Sequence, residues 1–124
     1  MRRQEHDEQV ALFKWAGHLA SLYPELGLLF AIPNGGKRDK LIAVQMQREG
    51  VKPGVPDVCL PVPRKGWHGL FIELKFGANK PTDYQLEWLE QLAEQGYLAV
   101  VCYGWVEATE VIQDYLDIRG FGGT

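Results

Sequence analysis

"GVPDVCLPVPRKGWHGLFIELKFG", residues 54–77, holds two apolar runs separated by a short basic turn. Val58 to Val62 and Leu70 to Phe76 have strand length and composition, and the turn over Pro63 to His68 folds them into a hairpin. Both runs carry charge where a buried strand should have none: Asp57 opens the first, and Glu73 and Lys75 flank Leu74 in the second. Alternate strand residues share a face, so Glu73 and Lys75 project together. The hairpin closes the 16-position gap between Asp57 and Glu73 and sets their strand ends side by side. Buried charges cost free energy unless they are paired or hold an ion.

Working outward, apolar positions from Val10 to Ala20 recur at helical spacing and predict a helix from about Glu5 to Leu22. Leu28 to Ile32 reads as a strand that ends at Pro33-Asn34-Gly35-Gly36, and Lys37 to Glu49 as a helix stopped by Gly50. Beyond the hairpin, Thr82 with Gln85 forms a capping-box pattern at the start of a helix running to Gln95. Leu98 to Tyr103 is then a strand, and Val106 to Ile118 the last helix. The order α-β-α-β-β-α-β-α, with a central hairpin followed by a β-α-β crossover, specifies an α/β fold: a mixed β-sheet flanked by helices.

At 124 residues and 46% hydrophobic, the chain has enough apolar surface for one core, so a single domain over 1–124 is expected, with 118–124 as a mobile tail. The apolar stretch at Leu26 to Pro33 is far short of a membrane span, and MRRQEHDEQ begins polar, so a soluble, cytoplasmic protein is expected. Cys59 and Cys102 sit in separate β-like runs without CxxC or His-rich company, which reads as buried free thiols.

The net charge of −3 conceals an asymmetry: through Lys80 there are 12 basic and 8 acidic residues, and from Pro81 onward 1 and 8. Positive charge gathers at Arg2-Arg3, at Lys37, Arg38 and Lys40, at Arg48 and Lys52, and at Arg64-Lys65. Such clusters suit phosphate contacts, with Asn34 and its glycines as a further backbone approach to phosphate. The same residues also fit a solvated surface and an ordinary turn. Trp67, beside Arg64 and Lys65, can stack on an unpaired base or cover a sheet edge.

Two carboxylates brought together repel, and a hard divalent cation is the common remedy. Magnesium takes one or two protein carboxylates together with waters and substrate phosphate oxygens. A lysine beside such a site can orient water and offset charge on a phosphorane-like transition state. The set Asp57, Glu73 and Lys75 therefore suits phosphodiester hydrolysis. Read from residues alone, a Glu73–Lys75 surface pair with Asp57 finishing a turn fits as well.

The joint occurrence of "PD" in GVPDVCLP and "ELK" in FIELKF resembles the PD-(D/E)xK nuclease superfamily, with its restriction-endonuclease-like core. More narrowly, "EHDEQVALFKW", "FAIPNGGKR", "EGVKPGVPDVCLP", "GLFIELK" and "YQLEWLEQLAEQGYLAVVC" are similar, in that order, to a virus-type VRR-NUC domain across residues 4–116. The resemblance implies Mg2+ or Mn2+ held by Glu5, Asp57, Glu73 and the Leu74 carbonyl, with Glu8 as rival to Glu5. It implies Lys75 as the catalytic lysine and Gln85 as a residue orienting Lys75 or a phosphate. It also implies a DNA endonuclease selective for branched DNA in the manner of a Holliday-junction resolvase, a homodimer, and a phage or prophage origin. Trp105, Val111, Tyr115 and Leu116, with Trp88 and Tyr84, are apolar positions that either form an interface or, for most of them, simply cover the sheet. A DNA-binding or assembly module that keeps the fold without turnover, and a hydrolase of small phosphate esters, are the competing functions.

Overall fold

The computed structural model describes residues 3–33 and 40–120. Its elements run in the predicted order: α1 (Arg3–Leu19), β1 (Phe30–Ala31), α2 (Lys40–Arg48), β2 (Val58–Leu60), β3 (Leu70–Lys75), α3 (Asp83–Glu94), β4 (Leu98–Tyr103) and α4 (Trp105–Leu116). The four strands form one sheet in the order β1-β2-β3-β4. β1 with β2 and β2 with β3 are antiparallel, whereas β3 and β4 are parallel across the α3 crossover. This is the mixed sheet flanked by helices that the sequence implies.

Leu70, Ile72 and Leu74 alternate onto one face of β3 and pack into a core with Leu12, Trp15 and Ala16 of α1 and Ala108, Ile112 and Tyr115 of α4. α3 contributes nothing to that cluster and packs against β4 from the other side. Because strand side chains alternate, a β3 that fills the core with its even residues must present Glu73 and Lys75 to the opposite face. The hairpin between β2 and β3 is tightened at Arg64–Trp67, where Lys65 (φ 53°) and Gly66 (φ 84°) occupy the left-handed region required by a two-residue loop.

Several boundaries differ from expectation. α1 stops at Leu19 because Pro24 forces the residue before it out of helical geometry, and a 3-10 turn over Pro24–Leu28 follows, burying Leu26. β1 shrinks to two residues, and α4 begins at Trp105, where the Glu8 Oε1 of α1 accepts the Trp105 N–H at 3.0 Å and serves as the cap that Gly104 cannot provide. The expected mobile tail lies partly outside the described residues, as do Asn34, Lys37 and Arg38. Of the two readings for Tyr115 and Leu116, covering the sheet holds: both are buried, and the Tyr115 hydroxyl donates to the Val62 carbonyl at 2.6 Å. Trp105 and Val111 pack on the same core, so α4 covers the sheet. Cys59 and Cys102 are buried free thiols, and burial pushes them up to about 11 and about 12. Among the described residues no helix is long and apolar enough to cross a membrane.

Candidate active site

One cavity of about 640 Å3 opens where β2 begins and β3 ends, and its wall includes Glu5, Gln9, Asp57, Glu73, Lys75 and Gln85. Asp57 is fixed from both sides: its carbonyl accepts the Ile32 N–H and its Oδ2 accepts the Leu74 N–H, each at 2.8 Å. The Leu74 amide is available because Val58–Ile72 is the last β2–β3 pair. In a strand the N–H and C=O of one residue point to the same side. The Leu74 carbonyl therefore points to the same side as its amide, toward Asp57.

Glu73 is 2% exposed and Lys75 7%, and Lys75 Nζ lies 3.5 Å from Glu73 Oε2. Burial, followed by the neighbouring Asp57 charge, pushes the Glu73 carboxyl up to about 8, with Lys75 opposing. Burial also raises Asp57, opposed first by the Leu74 amide. Glu73 Oε1 is a buried oxygen without a hydrogen-bond partner among the described residues, and so is Gln9 Oε1. A pair of neighbouring buried carboxylates and an orphaned buried oxygen form an oxygen donor set suited to a hard divalent cation. Among the described residues no three His, Cys, Asp or Glu side chains are drawn together tightly enough to hold a metal by themselves. Two carboxylates are nonetheless the number magnesium ordinarily takes from a protein.

Glu5 is buried in the cavity wall, and its Oε2 accepts from Asn79 Nδ2 at 3.0 Å. Glu8, its rival, is absent from that wall and is engaged at the start of α4. Gln85 does what its spacing with Thr82 predicts: Thr82 N donates to its Oε1 at 2.9 Å and its own N–H to Thr82 Oγ1 at 3.2 Å. It also lines the cavity, so capping fixes its position there. Arg64 and Lys65 are not brought to this place. They sit at the other end of the hairpin, paired with Glu25 at 2.9 Å and Asp117 at 3.7 Å. Asn79 carries no signal in the sequence, because it meets Glu5 across 74 positions.

The family model of the VRR-NUC domain matches residues 18–105, a span that includes Asp57, Glu73, Lys75 and Gln85. The chain belongs to the VRR-NUC domain family. A solved structure described as a VRR-NUC domain protein is similar over 100% of this chain and 97% of its own, with 30% identity and a TM-score of 0.79. No curated protein matches the chain. VRR-NUC domains are nuclease-type domains, and the cavity holding Asp57, Glu73 and Lys75 lies within the matched span. Glu5 and Gln9 lie before the family match but inside the structural one.

Proposed function

We propose that this VRR-NUC domain is a divalent-metal-dependent DNA endonuclease, selective for branched DNA. The observation that carries the reading is the buried Asp57–Glu73 pair with Lys75 beside it and Glu73 Oε1 unpartnered in one open cavity. Asp57, Glu73 and the Leu74 carbonyl would hold Mg2+ or Mn2+, with Glu5 completing the polar wall. A bound cation there supplies Lewis-acid polarisation of the phosphate and a more acidic water. Lys75 donates hydrogen bonds to the charge gathering on phosphate oxygen as water attacks and the phosphodiester bond breaks. Gln85, its Oε1 occupied by Thr82, directs its remaining amide donors toward phosphate or water. Cleavage of labelled linear, flap, single-stranded and four-way DNA, with Mg2+ or Mn2+ and with chelator, tests this. No cleavage of any of them in metal would leave a DNA-binding module in its place.

Two symmetric cuts at a four-way junction need two sites, so the working unit is a C2 pair of chains. α2 is the surface that favours pairing. No residue of this helix is buried, and Leu41, Ile42 and Val44 are 83%, 44% and 49% exposed. An apolar helix face of that kind marks an interaction site. Light scattering without DNA should give twice the chain mass, and Leu41→Glu should halve it. A wild-type monomer would remove the pairing.

A further inference from the structure

The catalytic cavity has an apolar side that phosphodiester chemistry does not require. Ile32, Pro33, Pro53 and Tyr84 share its wall with Asp57 and Glu73. Tyr84 stands out among them. It is 64% exposed, yet its stem is held: a Cβ on Gly54 (φ +88°) would lie 2.7 Å from Tyr84 Cβ and 2.8 Å from its backbone carbon, so loop and helix are in direct contact there. The same loop is tied to α3 by Trp88 Nε1, which donates to the Pro53 carbonyl at 3.0 Å. The tyrosine ring is thus presented from a fixed position at the first turn of α3, with no ring or hydrogen-bond partner among the described residues.

We infer that Tyr84, with Ile32, Pro33 and Pro53 as the apolar wall, is a stacking platform for an unpaired nucleobase next to the phosphate held at Asp57 and Glu73. The inference rests on the nuclease reading and deepens it. A sugar–phosphate backbone meets oxygens, metal and Lys75; an exposed aromatic ring on an apolar wall in the same cavity matches the flat face of a base. A base inside a duplex has both faces covered by its neighbours, so the platform selects strands with an unstacked base at the cut. Charge agrees, since exposed Lys52 directly precedes Pro53 of the wall and exposed Lys80 stands two positions before Thr82, where they can meet adjoining phosphates. Branch selectivity would then reside partly in one chain, independent of pairing.

The test uses the full chain with Mg2+ and a flap DNA carrying 2-aminopurine unpaired beside the cut. Tyr84→Ala should raise KM on this substrate about tenfold or more, with kcat kept within about twofold. Tyr84→Phe, which keeps the ring, should match the wild type. Metal affinity by calorimetry and the melting temperature should not move in either variant. In the Glu73→Gln background, where turnover plays no part, the probe's fluorescence should be quenched on binding, and Tyr84→Ala should abolish the quench. An equal rise in KM on fully paired duplex, a persistent quench in Tyr84→Ala, or a change of mass in light scattering would each overturn the proposal. Cleavage persisting in Glu73→Gln would instead overturn the assignment of the catalytic carboxylates and leave the quench to judge Tyr84.

Discussion

Glu73 is the residue whose environment is most at odds with its chemistry. Its carboxyl is held at about 8, against an ordinary 4.5, first by burial and then by Asp57. A group raised by folding stabilises the fold through its protonated form. That contribution is whole below pH 4.5 and is lost as pH climbs through about 8. Asp57, also raised, acts with the same sign. The metal-free protein should therefore melt at progressively lower temperature as pH rises from about 5 to about 9, and Glu73→Gln should flatten the slope. Melting curves in chelator decide it; a wild-type curve that rises with pH would refute the burial argument. Glu73→Gln should also abolish cleavage and weaken metal binding while the apo fold holds or gains stability, because the amide fixes the uncharged form that burial and Asp57 favour. Lys75→Ala should differ in kind, keeping the metal site while slowing the chemical step by about 10² or more. Weakened metal affinity with normal turnover would show that role to be misassigned. The sequence offered these three residues because charge inside an apolar strand is a local anomaly. It could not choose between Glu5 and Glu8, since both lie in one helix and the choice depends on Asn79 and Trp105, far along the chain.

At the scale of elements, the cavity depends on α3 holding the loop before β2. Gly54 has no room for a side chain where it meets Tyr84, and its φ of +88° is costly for any L-residue. Gly54→Ala should lower the melting temperature and weaken metal affinity together, because moving the loop moves Asp57. Trp88→Phe keeps one aromatic ring but removes the bond to Pro53 with the rest of the indole, so it should cost at least about 1 kcal/mol and affect metal affinity little. Thermal melts paired with metal titration separate the two; an unperturbed Gly54→Ala would mean that the loop adjusts freely. β3, β4, α3 and its capping box were legible because each rests on near-neighbour patterns, a short apolar run or the Thr82–Gln85 spacing. The fates of α2 and α4 were not. Both are amphipathic, and periodicity reveals an apolar face without revealing what covers it. α4 spends that face on β3 and α1, and α2 leaves it in solvent.

Across the whole molecule, the basic turn of the hairpin is separated from the cavity by the length of β3. Asp57, Glu73 and Lys75 mark one end of the β2–β3 hairpin and Arg64 and Lys65 the other, and the six residues of β3 between them span roughly 17 Å. Arg64 and Lys65 are already paired with Glu25 and Asp117, whereas Lys52 and Lys80 stand exposed next to the cavity wall. A strand whose phosphate is held at Asp57 and Glu73 should therefore run past Lys52 and Lys80 and miss the hairpin tip. Each phosphate that the protein ceases to neutralise takes about 0.9 off the slope of log affinity against log salt for duplex DNA. In the uncleaving Glu73→Gln background, Lys52→Ala with Lys80→Ala should flatten that slope by roughly two, and Arg64→Ala with Lys65→Ala should leave it alone. Neutralising Glu107, Glu110 and Asp114 on α4, which packs on the opposite face of the sheet, should also leave it alone. Anisotropy titrations of a labelled flap at several salt concentrations read all three. A flattened slope from the Arg64 and Lys65 pair would carry the DNA across the hairpin tip and place the bound strand along the length of β3.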